Sequence, residues 1–228
     1  MSGVRQRALK AAIRIGRRLC RDAIWHDGRC NWLGCAMEPH GGQWVSAYRA
    51  MGVTVYDGSA GIGLFFARLA RLSDDPIIAA TAVGALAQAL ATVDEQVAAV
   101  DYGFYAGVSG VAQCWVEAGT ALQRGDLVAR GRAAWLACAK LPPLPQRLDV
   151  INGSAGLIPA LIEAAQRFER DDFVEVAVRH GEHLVRVATR TDEGWSWDTL
   201  GMANEPHLLL IAAKPSCSAN PFNVASGM

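Results

Sequence analysis

One seven-residue pattern occurs three times along this chain, and nothing else constrains the fold as strongly. Tyr56-Asp57-Gly58-Ser59-Ala60-Gly61-Ile62 opens one unit, Tyr105-Ala106-Gly107-Val108-Ser109-Gly110-Val111 a second, and Ile151-Asn152-Gly153-Ser154-Ala155-Gly156-Leu157 a third. The first glycines lie 49 and then 46 residues apart. A period of that size marks a repeat architecture, in which each unit is one supersecondary element that buries its apolar face by stacking on the next. After each G-x-x-G the spacing predicts a largely apolar helix, over 64–72, 111–122 and 157–168. A more amphipathic helix then follows over 76–93, 126–140 and 172–189. Each unit therefore reads as a helical hairpin whose first helix is buried on most sides.

Glycine suits these positions because a helix starting in a crowded interior must approach neighbouring backbone closely, and glycine has no Cβ in the way. Asp57 and Asn152, or Ser59 and Ser154, are expected to cap the first N–H groups. The three starts should lie on one side of the molecule, where converging helix dipoles favour an anion. Phosphate-loop and dinucleotide readings fail, since no strand precedes the glycines and no Lys-Ser/Thr follows them. The fold class expected is all-α, a partial (α/α) toroid of helical hairpins with essentially no sheet.

Composition excludes other classes. With 51% hydrophobic and 19% charged residues in 228, the chain can bury a sizeable core and is not disordered. Twenty-two basic residues balance 22 acidic ones, which argues against a nucleic-acid partner. No membrane span is expected, because the longest low-charge stretch, 76–93, is alanine-rich and interrupted by Thr81, Gln88 and Thr92. Six cysteines without a secretory h-region read as reduced thiols in the cytoplasm.

The N-terminal 55 residues lie outside the repeats. Residues 4–21 read as an amphipathic helix, with Val4, Ala8, Ala11, Ile15 and Leu19 as the inward stripe. Its arginines are expected to form a solvated outer face, with an organelle-targeting or acidic-partner helix as the alternative reading. Residues 22–55 read as a loop anchored by tryptophans. Cys30 and Cys35 between His26 and His40 invite a zinc reading, but the spacing is not that of a structural zinc site, so no metal ligands are assigned.

The residues at the three unit starts resemble the lanthionine synthetase C-like family. The run Tyr56 to Phe66 resembles the family's first inner-helix signature. Phe104-Tyr105-Ala106-Gly107 and Asp149-Val150-Ile151-Asn152-Gly153-Ser154-Ala155-Gly156 resemble the next two, and Arg29-Cys30-Asn31-Trp32-Leu33-Gly34 is similar to a loop of some bacterial members. The resemblance implies an α/α toroid with inner helices facing a cavity. It implies a precursor peptide as partner and thioether ring formation as the chemistry. In the family, zinc held by two Cys and one His activates a peptide thiol. The thiolate adds to a dehydroalanine or dehydrobutyrine, and a general acid protonates the enolate that results.

This sequence departs from that pattern. Gly-x-x-His-Gly, Trp-Cys-x-Gly and Cys-His-Gly are all missing, and neither His207 nor Cys217 matches a ligand. The expectation is an incomplete toroid domain over 1–207 and an irregular tail over 208–228, with no cofactor and no cyclase activity. Exposed apolar hairpin faces would favour self-association. Asp149 is the one candidate for proton transfer, with a turn cap as its alternative. Asp57, Gly58, Gly61, Gly107, Gly110, Asn152, Gly153 and Gly156 are assigned to the cavity rim. A metal-free peptide scaffold is one alternative function. A toroid glycosidase using Asp57 and Asp149 is another. His180 and His183, three apart on an outer helix, read as a solvated face.

Overall fold

A computed structural model of the chain describes residues 3–96, 102–192, 194–199 and 209–212. Helix α1 spans Gly3–Asp22. Two short antiparallel hairpins follow, β1 (Ile24–His26) with β2 (Arg29–Asn31), and β3 (Leu33–His40) with β4 (Gln43–Ala50). Three helical hairpins come next. They are α2 (Ser59–Ala70) with α3 (Pro76–Gln96), α4 (Val108–Ala121) with α5 (Gly125–Cys138), and α6 (Ser154–Phe168) with α7 (Asp171–Val187). Strands β5 (Thr189–Thr191), β6 (Gly194–Asp198) and β7 (Leu209–Ala212) then form an antiparallel sheet in that order.

The three hairpins follow the repeat reading closely. Their glycine-led helices are the most buried: α4 hides Ser109 through Val116 without a break. Helix α4 also separates two cores. Val111, Cys114, Trp115 and Ala118 pack with α2 and α3. Ala112 and Val116 pack with Trp135, Leu157, Leu161 and Phe173. Stacking thus buries each unit against the next, as repeats require.

Three expectations are corrected. The chain is mostly helical, but sheet is present. Residues 24–50 are two β-hairpins, not a loop, and both turns carry the signal for them. Asp27 and Gly28 have φ of 48° and 72°, and Gly41 and Gly42 have 58° and 79°. Two successive positive φ values make the turn that matches strand twist, and Asp-Gly and Gly-Gly favour it. The inward stripe of α1 is also different. Leu9, Ala12, Ile13 and Leu19 pack against the core, with Gly16 wholly buried, while Val4 and Ile15 face solvent. Close approach decides this, because a Cβ on Gly16 would meet Leu69 Cδ2 at 2.8 Å. Finally, part of the tail expected to be irregular, Leu209–Ala212, pairs with β6. His207 and Cys217 lie outside the described residues.

Over Pro76–Val93, α3 is long and apolar enough to cross a bilayer by length and composition. In this fold Ile78, Ala82, Ala85, Leu86 and Ala89 of that helix are completely buried in the first core.

Candidate functional site: the converging helix starts

The three starts form one structure. The residue two places before each first glycine is Tyr56, Tyr105 or Ile151. The Tyr56 N–H donates to the Tyr105 carbonyl at 2.9 Å, and the Tyr105 N–H donates to the Ile151 carbonyl at 3.1 Å. Equivalent backbone groups are thus linked in a ladder from unit to unit. Tyr56, Tyr105, Val150 and Ile151 all expose their side chains along it.

The glycines make this ladder possible. Gly58, Gly107 and Gly153 are the N-caps of α2, α4 and α6, each with extended backbone and φ of −138°, −135° and −124°. These are angles any residue adopts, so at Gly58 and Gly153 proximity, not backbone conformation, selects glycine. A Cβ at Gly58 would meet the Val53 carbonyl carbon at 2.5 Å, and one at Gly153 would meet that of Arg147 at 2.5 Å. The second glycine repeats a single contact. Cβ atoms at Gly61, Gly110 and Gly156 would overlap the carbonyls of Val55, Phe104 and Val150, each six residues upstream.

The capping expectation is corrected. None of the three N-caps makes a side-chain capping bond. Backbone carbonyls seven residues upstream do the work instead. Ser59, Ala60 and Gly61 N–H donate to Gly52, Val53 and Thr54, and Ser154, Ala155 and Gly156 donate to Arg147, Leu148 and Asp149. These donors of α2 and α6 are therefore already engaged, which removes much of the reason to expect an anion there.

Asp149 is a turn cap. Its Oδ1 accepts from the N–H of Ile151 at 2.6 Å and of Asn152 at 2.8 Å. Thr54 holds the equivalent place in the first unit, four residues before the glycine, and its Oγ1 accepts from the Asp57 N–H at 3.3 Å. A threonine fills the same structural role in the first unit, so the turn itself needs an acceptor there and not a charge. Asp57 Oδ1 in turn accepts from Thr54 Oγ1 at 2.7 Å. In the second unit this place is Gly103, where a Cβ would lie 2.6 Å from the Asn152 carbonyl oxygen. Asn152 is thus packed under the neighbouring loop.

Two polar groupings escaped the sequence reading. Arg68, Glu117 and Glu163 stand ten residues after the first glycine of their units, one on each of α2, α4 and α6. Arg68 is hydrogen-bonded to Glu117. The nearly buried Gln113 Nε2 donates to Glu117 Oε1 at 3.1 Å and Glu163 Oε1 at 3.0 Å. Equal offsets in the repeat were the available signal. The other grouping corrects the solvated reading of His180, which is fully buried. Its Nδ1 lies 2.8 Å from Ser154 Oγ, and Tyr102 Oη lies 3.3 Å from the same oxygen. Burial pushes the imidazole down to about 4, with His183 contributing repulsion, so it is neutral. Ser154 and His180 are both sealed from solvent, so the pair ties α6 to α7 and is not a nucleophile for a soluble substrate.

A family model described as lanthionine synthetase C-like protein matches residues 49–210. The chain belongs to this family. Among curated proteins, none matches the chain. The match begins just before the first helix-start loop and takes in all three helical hairpins.

The zinc that the family implies does not fit the described residues. No three His, Cys, Asp or Glu side chains among them come together as metal ligands. Cys30 and Cys35 belong to different hairpins, Cys30 paired with Trp25 and Cys35 with Tyr48. Burial pushes the thiols of Cys30, Cys114 and Cys138 up to about 12, so they are protonated core groups.

Proposed function

We propose that this chain serves lanthionine-type modification of ribosomally made peptides by holding the precursor peptide at the helix-start rim. The observation that carries this reading is the backbone ladder through Tyr56, Tyr105 and Ile151, which sets one exposed apolar side chain per unit along a continuous edge. Repeated, evenly spaced anchors suit an extended peptide. The neighbouring Phe104 supports Tyr105 edge-on, with ring centroids 5.2 Å apart.

On this reading Gly58, Gly61, Gly107, Gly110, Gly153 and Gly156 act by bringing the rim loops together. Asp57, Asn152 and Asp149 hold the turns. The described residues bind the peptide and do not run the thiol addition, because none of them supplies the ligand set that would activate a thiol. The reaction setting is a reducing cytoplasm, where the peptide cysteine stays a thiol.

The test uses the full chain with a dehydrated, cysteine-bearing peptide. Binding in the micromolar range is expected, and the peptide thiol should remain open to alkylation after incubation with zinc. Tyr56→Ala with Tyr105→Ala should weaken binding about fivefold to tenfold, as expected for two aromatic anchors. Thiol loss on incubation would overturn the claim that these residues do not cyclise. Equal binding by the double variant would overturn the rim.

A further inference from the structure

Helix α1 carries a charge anomaly that the packing does not use. It holds seven of the chain's 22 basic residues and one of its 22 acidic ones, so a neutral protein is split into a +6 helix and a −6 remainder. Arg17 pairs with Asp75, and Arg18 and Arg21 share Asp22. Arg7, Lys10 and Arg14 are exposed on one side of the helix and have no ion pair among the described residues. They span about 10 Å of helix.

Beside that row runs the stripe of Val4, Ala8, Ala11 and Ile15, which the core leaves out. Val4 is 65% and Ile15 52% exposed. Ile15 is also one wall of a groove of about 270 Å³, which continues over Leu19, Met51, Ile62 and Phe65 to Tyr56 and Gly58. The groove therefore joins the basic helix to the start of the rim ladder. Asp57 also borders it, so an acidic side chain would be repelled there and an apolar one accepted.

We infer that α1 and this groove dock an acidic, apolar-anchored segment of a peptide. Carboxylates lie along Arg7, Lys10 and Arg14, and one apolar side chain enters the groove beside Tyr56. Charge complementarity selects the acidic partner. A groove of about 270 Å³ holds one or two side chains of a peptide, whereas a lipid acyl chain is larger than that and a phosphate backbone has no apolar anchor. The inference rests on the peptide reading of the rim and extends it to a second contact region.

The probe is a short fluorescein-labelled peptide rich in Glu and Leu, without cysteine, serine or threonine, titrated with the full chain by fluorescence anisotropy. Saturable binding that weakens as salt rises is expected. Neutralising Arg7→Gln, Lys10→Gln and Arg14→Gln together should weaken it about tenfold or more. These changes keep good helix formers at exposed positions, and circular dichroism checks the fold. Ile15→Ser should weaken it about threefold with the charge row intact. Three results would overturn the inference: equal binding of a Lys-for-Glu peptide, unchanged binding by the neutralised chain, or capture by phosphatidylglycerol vesicles or duplex DNA with no binding of the peptide. The probe contains nothing to cyclise and the variants lie off the ladder. Loss of this binding with Tyr56- and Tyr105-dependent binding retained would therefore remove the α1 dock alone, and loss of both would remove the peptide reading.

Discussion

The three helical hairpins and the β3–β4 hairpin both carry regular apolar patterns, yet only the first set is built into a core. In the hairpins each apolar helix face meets another helix, and α4 contributes to two cores at once. In β3–β4, the cross-strand pairs Leu33–Ala50, Cys35–Tyr48, Met37–Ser46 and Pro39–Trp44 share one face with no charge on it. That face lies open, with Trp44 68% and Tyr48 80% exposed. The comparison separates two meanings of an apolar period. A repeated unit has its partner guaranteed by the next copy. A single hairpin inserted before the repeats has no such neighbour, so its alternation marks local pairing and nothing about burial.

The largest effect should come from the glycines that let the repeats touch. Gly110→Ala puts a Cβ into the Phe104 carbonyl and within 2.7 Å of Val55 Cγ2, so backbone must move at the contact between units. A loss of about 3 kcal/mol or more is expected in urea unfolding. Gly125→Ala is the control, since a Cβ there meets nothing within 4 Å. It should be neutral or stabilise by up to about 1 kcal/mol. Comparable losses at the two positions would show that the helix starts are not the tight point of the fold.

A second effect separates the buried polar link of the third unit from the apolar stacking around it. His180 sits at about 4 in the folded chain, below the usual 6.5. The unfolded chain therefore binds more protons between those values. Stability from the neutral ring is full above about pH 6.5 and is lost as pH falls towards 4. That loss is about 3 kcal/mol. Urea midpoints of the parent and His180→Phe should diverge near neutral pH and draw together near pH 4.5. Parallel pH profiles would place the acid sensitivity elsewhere.

Asp149 gives a smaller, sharper test of likeness between units. If it serves its turn as Thr54 does, Asp149→Asn keeps an acceptor for the Ile151 and Asn152 N–H groups. It should cost under about 1 kcal/mol, while Asp149→Ala should cost about 1–2 kcal/mol. Thr54→Ala should cost about 1 kcal/mol in the first unit. Thermal unfolding of the three variants checks the order. An Asn variant as damaged as the Ala variant would mean that charge, not turn geometry, is what this position supplies.

What the sequence made legible follows the same division. Spacing between glycines located the six helices of the repeats, because each helix start must meet the same steric demand. Spacing did not say how the first N–H groups are satisfied. Side-chain caps at Ser59 and Ser154 were a sound local inference, but carbonyls seven residues upstream outcompete them once the loop folds back. His180 was misread for a related reason. Charged Arg179, Glu182 and Arg186 surround it in sequence, whereas in space it faces Ser154 and Tyr102. In α1 the periodicity was right and the phase was not. Two apolar stripes compete there, and only the position of Leu69 and Phe66 against Gly16 decides between them. The rim ladder was legible in its members but not in its bonds, since no pattern in one unit shows which backbone group of the next it will meet.

The smallest expected effect bears most directly on the opening contrast. Tyr48→Ser and Trp44→Ser each remove a large ring from the open face of β3–β4. If the hairpin stands apart from the repeat cores, neither ring is withdrawn from water on folding, and each change should alter stability by less than about 0.5 kcal/mol. Loss of cross-strand packing adds a local cost, because Tyr48 faces Cys35 and Trp44 faces Pro39 across the strands, and such pairs are worth about 0.2–1 kcal/mol. That cost would fall on the hairpin and leave the cooperative unfolding of the helices unchanged. The contrast variant is Trp115→Ser, in the core shared by α2, α3 and α4, which should cost several kcal/mol because it empties a buried indole site. Urea unfolding followed by circular dichroism at a helical wavelength reads all three on one scale. A loss above about 1 kcal/mol for Tyr48→Ser or Trp44→Ser would mean that the open face is covered in solution, and the exposed rings would then be part of an interface.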